Sequence, residues 1–170
     1  MGIARIALLL VALLPCCRRG PGQDFTEVKP DPETLIGALR SYSDPENVAA
    51  ALGHPVWQVT ERSGLRAGDK RPPFNILSVV VAPYHDRGSD GELHLTFFNS
   101  RLESARFYPD DVWAYRAKLG AFPSRDVHGG EVRKRYLRVW NAVDYKGREY
   151  FLWGDDRLME QQKRWIENFS

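Results

Sequence analysis

The side chains of this sequence that are best suited to proton transfer lie close together in residues 85–94. Glu92 and His94 are two positions apart in an alternating apolar–polar stretch, so a strand here points both side chains to one polar face. His85 and Asp86 precede the intervening turn. These groups can form an acid–base pair or a metal site. A solvated strand face explains them more simply, because no further ligand follows at a spacing typical of metal binding.

Two pairs of adjacent carboxylates, Asp110–Asp111 and Asp155–Asp156, have the residue type that glycoside hydrolases use. Both pairs stand at predicted helix N-termini, where a carboxylate accepts hydrogen bonds from free backbone N–H groups. We therefore interpret them as helix caps. The sequence contains no serine-hydrolase, zinc-protease or phosphate-loop motif. No catalytic residue, metal site or cofactor is predicted.

Aromatic and basic residues are frequent near the C-terminus, where Tyr136, Trp140 and Trp153 accompany Arg138 on a predicted hairpin. Exposed aromatic side chains on a sheet can stack on sugars or anchor a protein partner. Burial in the core is the ordinary alternative, because helices must cover a sheet with apolar side chains. The sequence therefore offers these four residues as a candidate binding surface.

The N-terminal residues have the pattern of an export signal. Arg5 precedes nine apolar residues, 6–14. As a helix they would reach about 14 Å, roughly half of a bilayer core, so the segment is too short to span a membrane. A basic start followed by a short apolar run is typical of a secretory signal peptide.

The two cysteines of the chain, Cys16 and Cys17, directly follow this apolar run and Pro15. Their placement resembles the lipobox of bacterial lipoproteins, which implies that Cys16, or alternatively Cys17, carries a lipid. Simple secretion is the other interpretation. Residues 18–31 are rich in Pro, Gly and charge, which predicts a flexible tether. A single folded domain is then expected over residues 32–170.

Composition excludes several classes of protein. The 24 Lys and Arg against 22 Asp and Glu leave a net charge of +2, which is too balanced for a dedicated nucleic-acid binder. Because only two cysteines are present, a disulfide-stapled miniprotein and a cysteine zinc finger are excluded. The 43% hydrophobic content is ordinary for a globular domain.

Hydrophobic periodicity and turn residues predict an α+β fold, an antiparallel sheet of about six strands with helices packed mainly on one face. The predicted elements, in chain order, are a helix capped by Asp31, a short helix capped by Ser43, strands at 56–62, 74–84, 93–97 and 102–108, a helix capped by Asp110, strands at 132–143 and 148–153, and a final helix capped by Asp155 or Asp156. Because short turns join consecutive strands, we expect antiparallel pairing.

The segment 35–55, with Val48, Leu52, Gly53 and Pro55 in the pattern V-x-x-x-L-G-x-P, resembles the opening of SmpA/OmlA-type lipoproteins. Residues 93–102 are similar to the strand–turn–strand that follows in that family. The resemblance covers residues 32–108. It implies a helix, a capped short helix and an antiparallel sheet, in an accessory lipoprotein of the outer-membrane β-barrel assembly machinery. The broader fold group also includes proteinaceous β-lactamase inhibitors.

Together these patterns predict a lipid-anchored, non-enzymatic protein of the bacterial cell envelope, at the outer membrane or its periplasmic face. Its expected partners are the membrane, through the anchor, and an envelope protein, with no nucleic acid. Two alternatives stay open. One is a secreted hydrolase using Glu92 and His94, and the other is a glycan- or ligand-binding module using the aromatics of the last hairpin.

Overall fold

The computed structural model describes residues 25–120 and 130–170. The predicted signal segment with Cys16 and Cys17, and the first part of the predicted tether, therefore lie outside the described residues. So does His128. Within the two described ranges, no helix is both long and apolar enough to cross a membrane.

Seven strands of the described chain form one antiparallel sheet, and three helices pack against it. The strands are β1 (Gln58–Gly64), β2 (Asn75–Asp86), β3 (Ser89–Phe98), β4 (Arg101–Pro109), β5 (Glu131–Lys134), β6 (Leu137–Val143) and β7 (Glu149–Asp155), and the helices are α1 (Pro45–Ala51), α2 (Val112–Leu119) and α3 (Asp156–Phe169). The strand order across the sheet is β1-β2-β3-β4-β7-β6-β5. The predicted α+β class and antiparallel sheet are confirmed.

The sheet has seven strands instead of about six because the predicted strand at 132–143 is interrupted. β5 and β6 pair as far as Lys134 and Leu137, which leaves Arg135 and Tyr136 as a two-residue turn. The φ angle of Arg135 is 57°, which a continuous strand does not allow. The basic run therefore forms the tip of a hairpin.

One face of the sheet, here called the packed face, carries the main core. The pairing register places Val79, Leu95, Ala105, Trp153 and Val139 side by side across five strands. These residues share a face because alternate positions of a strand point the same way. α1, α2 and the segment before them cover this face with Leu35, Ile36, Leu39, Val48 and Tyr115.

α3 crosses one end of the opposite face, here called the α3 face. Trp165 packs there with Ile76 and Phe98 in a second buried cluster. β7 makes room for the helix with Gly154, where an added Cβ would lie 2.6 Å from the Met159 Sδ. The helices therefore lie on both faces, with α1 and α2 on one and α3 on the other, where the sequence predicted mainly one face.

The chain already packs on the domain at Phe25, before the predicted start near Asp31. Phe25 is buried in the cluster around Trp165. The buried Arg101 guanidinium donates hydrogen bonds to the backbone carbonyls of Phe25 and Glu27. Residues 25–31, predicted as part of a tether, are thus held by side-chain burial and by a buried arginine.

The predicted helix that begins at Asp31 is absent, and this prediction was wrong. The chain turns back on itself instead, with an isolated bridge between Thr34 and Arg40 and a left-handed Gly37 at φ 58°. Leu35 and Leu39 are still buried, and the Leu35 N–H donates to the Leu39 carbonyl at 2.8 Å. The four-residue spacing of Leu35 and Leu39 is therefore compatible with a buried turn as well as with a helix.

Two helix caps lie one residue later than predicted. Asp44, not Ser43, is the N-cap of α1, because a residue before proline is held in extended conformation, here with ψ 166°. Asp111, not Asp110, caps α2, since the Asp111 Oδ1 accepts from the Ala114 N–H at 2.9 Å. Asp155 caps α3, as one of the two predicted candidates.

Candidate functional site

Glu92 and His94 do meet on one face of β3, as the alternation predicted. The His94 Nε2 lies 3.2 Å from the Glu92 Oε2, and the Arg148 Nη1 lies 3.1 Å from the same oxygen. These hydrogen bonds, first from His94 and then from Arg148, lower the pKa of Glu92. Burial lowers the pKa of His94 more than Glu92 raises it. The Nε2 atom of His94 and the Glu92 carboxylate therefore form one hydrogen-bonded pair on the polar face of β3.

His85 and Asp86 do not join this pair. The His85 Nδ1 lies 2.9 Å from the Asp90 Oδ1 at the tip of the β2–β3 hairpin. Asp86 is buried and accepts a 2.6 Å hydrogen bond from the Tyr115 hydroxyl. Across residues 25–120 and 130–170, no group of three His, Cys, Asp or Glu side chains is placed to hold a metal ion. The predicted group of four is therefore split between three places.

α3 covers only one end of its face, and the remainder presents a mixed aromatic and cationic surface, here called the open patch. The register aligns His94, Arg106 and Leu152 with Trp140 across four adjacent strands. The open patch consists of the partly exposed His94, Arg106, Trp140 and Tyr150 around the buried Tyr108. No described helix covers these residues.

Ring contacts hold the open patch in one arrangement. The Tyr108 ring lies 4.6 Å from the His94 ring and 5.2 Å from the Tyr150 ring. The guanidinium of Arg148 lies over Tyr108 at 4.5 Å, and that of Arg106 lies 5.9 Å from the Tyr150 centroid. Cation–aromatic contacts of this kind fix a side chain without hiding its charge. The surface is therefore pre-organised before any partner arrives.

The predicted binding surface of Tyr136, Trp140, Trp153 and Arg138 is not one surface. Trp153 is 4% exposed and belongs to the packed core, because it shares the parity of the apolar positions of β7. Trp140 points to the α3 face, with the Arg138 guanidinium 4.7 Å from its ring. Tyr136 lies in the β5–β6 turn against Arg157, at 4.1 Å. Of the predicted aromatics, only Trp140 contributes to the open patch.

Arg106 is the cation of the open patch that is free to meet a partner. Within residues 25–120 and 130–170 no hydrogen bond or ion pair of its side chain is found, while its guanidinium lies near the Tyr150 ring and its charge acts on Glu103. The other arginines nearby are engaged, since Arg138 donates to Glu131 at 3.0 Å and Arg148 donates to Glu92 and Asp144. An unpaired guanidinium among aromatic rings is a receptor for a carboxylate.

Glu103 is a functional candidate that the sequence predictions missed. In the β3–β4 pairing Thr96 faces Ser104 and Phe97 faces Leu102, so Glu103 is the extra residue of a β-bulge. Bulges redirect a side chain and are frequent beside functional sites. Glu103 is 3% exposed, and its Oε1 has no hydrogen-bond partner among the described residues. Burial raises the pKa of this carboxyl to about 7, although the neighbouring Arg101 and Arg106 lower it.

Glu103 lines a groove of about 360 Å³ between the sheet and α3, here called the Glu103 groove. Its walls are contributed by five strands and by α3, with these residues: Glu61, Ser63, Phe74, Ile76, Ser78, Thr96, Glu103, Ser104, Arg106, Leu152, Gln162 and Ile166. A volume of this size suits a small molecule or a single long side chain.

A signal for Glu103 does exist in the sequence. Apolar residues of β4 alternate at Ala105 and Phe107, but the preceding one is Leu102, three positions before Ala105. A break of this kind in a period of two indicates an extra residue, and Glu103 is a charge in the interval. The strand predicted at 102–108 was continuous and did not include this bulge.

Comparison with models of known protein families finds none that matches the chain. A search of the curated proteins likewise finds no match.

Proposed function

We propose that this protein is an exported, lipid-anchored envelope protein whose folded domain binds a partner protein on the open patch. The observation that carries this proposal is Arg106, whose guanidinium lies near the Tyr150 ring and makes no hydrogen bond or ion pair within the described residues. The partner chemistry that fits is an acidic segment, with a carboxylate on Arg106 and apolar or aromatic side chains on Trp140 and Tyr150. Buried Arg and Tyr residues are the usual energetic centres of protein interfaces.

The anchor and the location rest on the N-terminal pattern. A lipid on Cys16, or on Cys17, would hold the domain at a membrane of the cell envelope. We also propose a relation to SmpA/OmlA-type lipoproteins over residues 32–108. It is supported by the short helix α1, which ends before the left-handed Gly53 and is followed by antiparallel strands. The absent first helix departs from that pattern.

Titration with a synthetic peptide of alternating Glu and Leu residues tests the open patch, with backbone amide NMR shifts as the readout. We expect saturable shifts on β3, β4 and β7, and about tenfold weaker binding for Arg106→Gln. Arg62→Gln, on the exposed β1, is the matched control and should bind as the unchanged protein does. Shifts that map elsewhere, or equal losses in both variants, contradict the proposed surface.

Intact-mass analysis of the membrane fraction tests the anchor independently. We expect a mature chain that begins at Cys16 or Cys17 and carries added lipid mass. Substitution of both cysteines by serine should release the domain from the membrane fraction. An unmodified, released product that begins well beyond Cys17 would show that the chain is not a lipoprotein.

A further inference from the structure

Glu103 is buried without a hydrogen bond to compensate. A buried polar atom normally finds a partner, and an unpaired one is costly, so the exceptions in a folded protein call for an explanation. The Glu103 Oε1 has no partner in the described chain. It belongs to a bulge residue that lines a groove, not to a sealed core. The bulge therefore places a carboxylate with an unpaired oxygen in the wall of a groove that a ligand can enter.

The remaining polar walls of the groove are rich in oxygen acceptors. Glu61 accepts hydrogen bonds from the hydroxyls of Ser63, at 3.3 Å, and Ser78, at 3.4 Å. Because these hydroxyl protons are committed to Glu61, the hydroxyl lone pairs are left to accept from a ligand. Glu61 itself is exposed and carries a second carboxylate to the groove.

The charged groups that face Glu103 come from two strands. Arg101 and Arg106 belong to β4, and Glu61 belongs to β1. Arg101 is occupied, because its guanidinium donates to backbone carbonyls of the N-terminal segment and to the Gln161 side chain at 3.1 Å. Among residues that line the groove, α3 contributes only Gln162 and Ile166. With Glu103 ionised, the carboxylates of Glu103 and Glu61 are balanced by the guanidiniums of Arg101 and Arg106. Because the donors of Arg101 are already used, the Glu103 carboxylate is left with a free acceptor position for a donor group from a ligand.

We propose that the Glu103 groove binds a primary alkylammonium group, with the ammonium at Glu103 and the alkyl chain against apolar walls. Phe74, Ile76 and Ile166 supply those walls. An ammonium brings three donors, which match the Oε1 of Glu103 and the hydroxyl oxygens nearby. Arg106 lines this groove and also belongs to the open patch, so the two sites are neighbours, but the alkylammonium site does not require the acidic partner. The same chemistry is found in a free alkylamine and in a lysine side chain.

The test uses n-butylammonium chloride, with the side-chain carboxyl ¹³C resonance of Glu103 followed by NMR across pH. We expect a saturable change at Glu103 and a fall in its apparent pKa on binding, since a cation stabilises the ionised carboxylate. In Glu103→Gln the dissociation constant should rise about tenfold. Glu46→Gln, on the exposed side of α1 and across the sheet, is the matched control and should bind unchanged. n-Butanol, which has the chain without the charge, should bind far more weakly.

A second arm separates the two sources of the ligand. A short peptide with one lysine is compared with the same peptide carrying Nε-acetyl-lysine. Binding of the free lysine alone supports a lysine side chain as the occupant, and binding of butylammonium but of neither peptide supports a free amine. The proposal is overturned if butylammonium leaves the Glu103 resonance unchanged, or if Glu103→Gln binds it as tightly as the unchanged protein. Neither result depends on Arg106→Gln or the acidic peptide, so the two proposals can fail separately.

Discussion

The Ser41 hydroxyl donates a 2.7 Å hydrogen bond to the Asp155 Oδ2, which joins the N-terminal turn to the start of α3. Both side chains are buried. Asp155 also accepts from the Arg157 backbone N–H at 3.0 Å and from its guanidinium at 2.9 and 2.7 Å. One carboxylate thus caps a helix, pairs with an arginine and fixes a distant loop.

Replacement of Asp155 by alanine is expected to cost about 3–5 kcal/mol of unfolding free energy, because it strands the Arg157 charge and leaves the cap empty. Ser41→Ala should cost about 1–2 kcal/mol, since it removes the hydrogen bond donated to Asp155 and the one accepted from the Glu33 N–H. Urea denaturation measures both. Glu167→Ala, which removes the exposed pair with Lys163, is the control and should stay within about 0.5 kcal/mol. A small effect at Asp155 would mean that this cluster does not hold α3.

Substitution of Gly154 tests how α3 packs against the sheet. Gly154→Ala places a Cβ at 2.6 Å from the Met159 Sδ, so it should destabilise the protein by about 1–3 kcal/mol. Because Met159 is flexible, Met159→Ala should recover part of that loss in the double variant. Gly91→Ala is the contrast, since its Cβ would lie 2.1 Å from the Tyr108 backbone oxygen, which no side-chain change relieves. Thermal melts of the four variants compare these outcomes, and additive losses at Gly154 and Met159 would contradict the contact.

The features that sequence reasoning predicted well are those set by local rules. Strand alternation placed β3 and located the Glu92–His94 contact, and Asp155 was foreseen as a helix cap. The failures arise where tertiary context decides. The apolar spacing of Leu35 and Leu39 fits a helix, yet the chain forms a turn at Gly37, which has a left-handed conformation.

The site was harder to predict than the fold. That Trp153 faces the core while Trp140 faces the other side follows from parity alone, once the strand boundaries are known. Strand alternation could not assign a face to Glu103, because the β-bulge interrupts the alternation at this residue. Nor does a sequence show which of several arginines makes no hydrogen bond or ion pair within the described residues. Arg106 differs from Arg148 only through what surrounds each in three dimensions.

The buried Arg101 predicts how the N-terminal segment is held. Its guanidinium bonds two backbone carbonyls of that segment and the Gln161 side chain, a planar geometry that lysine cannot reproduce. Arg101→Lys should therefore lower the unfolding free energy by about 2 kcal/mol. Amide hydrogen exchange in residues 25–31 should accelerate more than exchange in β6. Arg62→Lys, at an exposed position, is the matched control. If amide exchange in residues 25–31 is unchanged in Arg101→Lys, the burial of Phe25 alone holds this segment.

The raised pKa of Glu103 predicts an unusual dependence of stability on pH. The pKa rises from an ordinary value of 4.5 to about 7 on folding. Between those values the folded state holds a proton that the unfolded state has released, so unfolding free energy falls as pH rises through this window. The loss is complete above pH 7 and amounts to about 3–4 kcal/mol, because each pKa unit corresponds to about 1.4 kcal/mol.

Glu103→Gln isolates this contribution, since glutamine keeps the shape and never ionises. Relative to the unchanged protein, the variant should gain stability steadily from pH 5 to pH 7 and hold that gain at pH 8. Urea denaturation at several pH values measures the difference, with Glu46→Gln as the exposed control that should show no such trend. Because an alkylammonium ligand favours the ionised carboxylate, saturating n-butylammonium should flatten the curve of the unchanged protein and leave that of Glu103→Gln as it was. An equal gain in unfolding free energy for Glu103→Gln at pH 5 and pH 8 would contradict this prediction. It would mean that folding does not raise the pKa of Glu103.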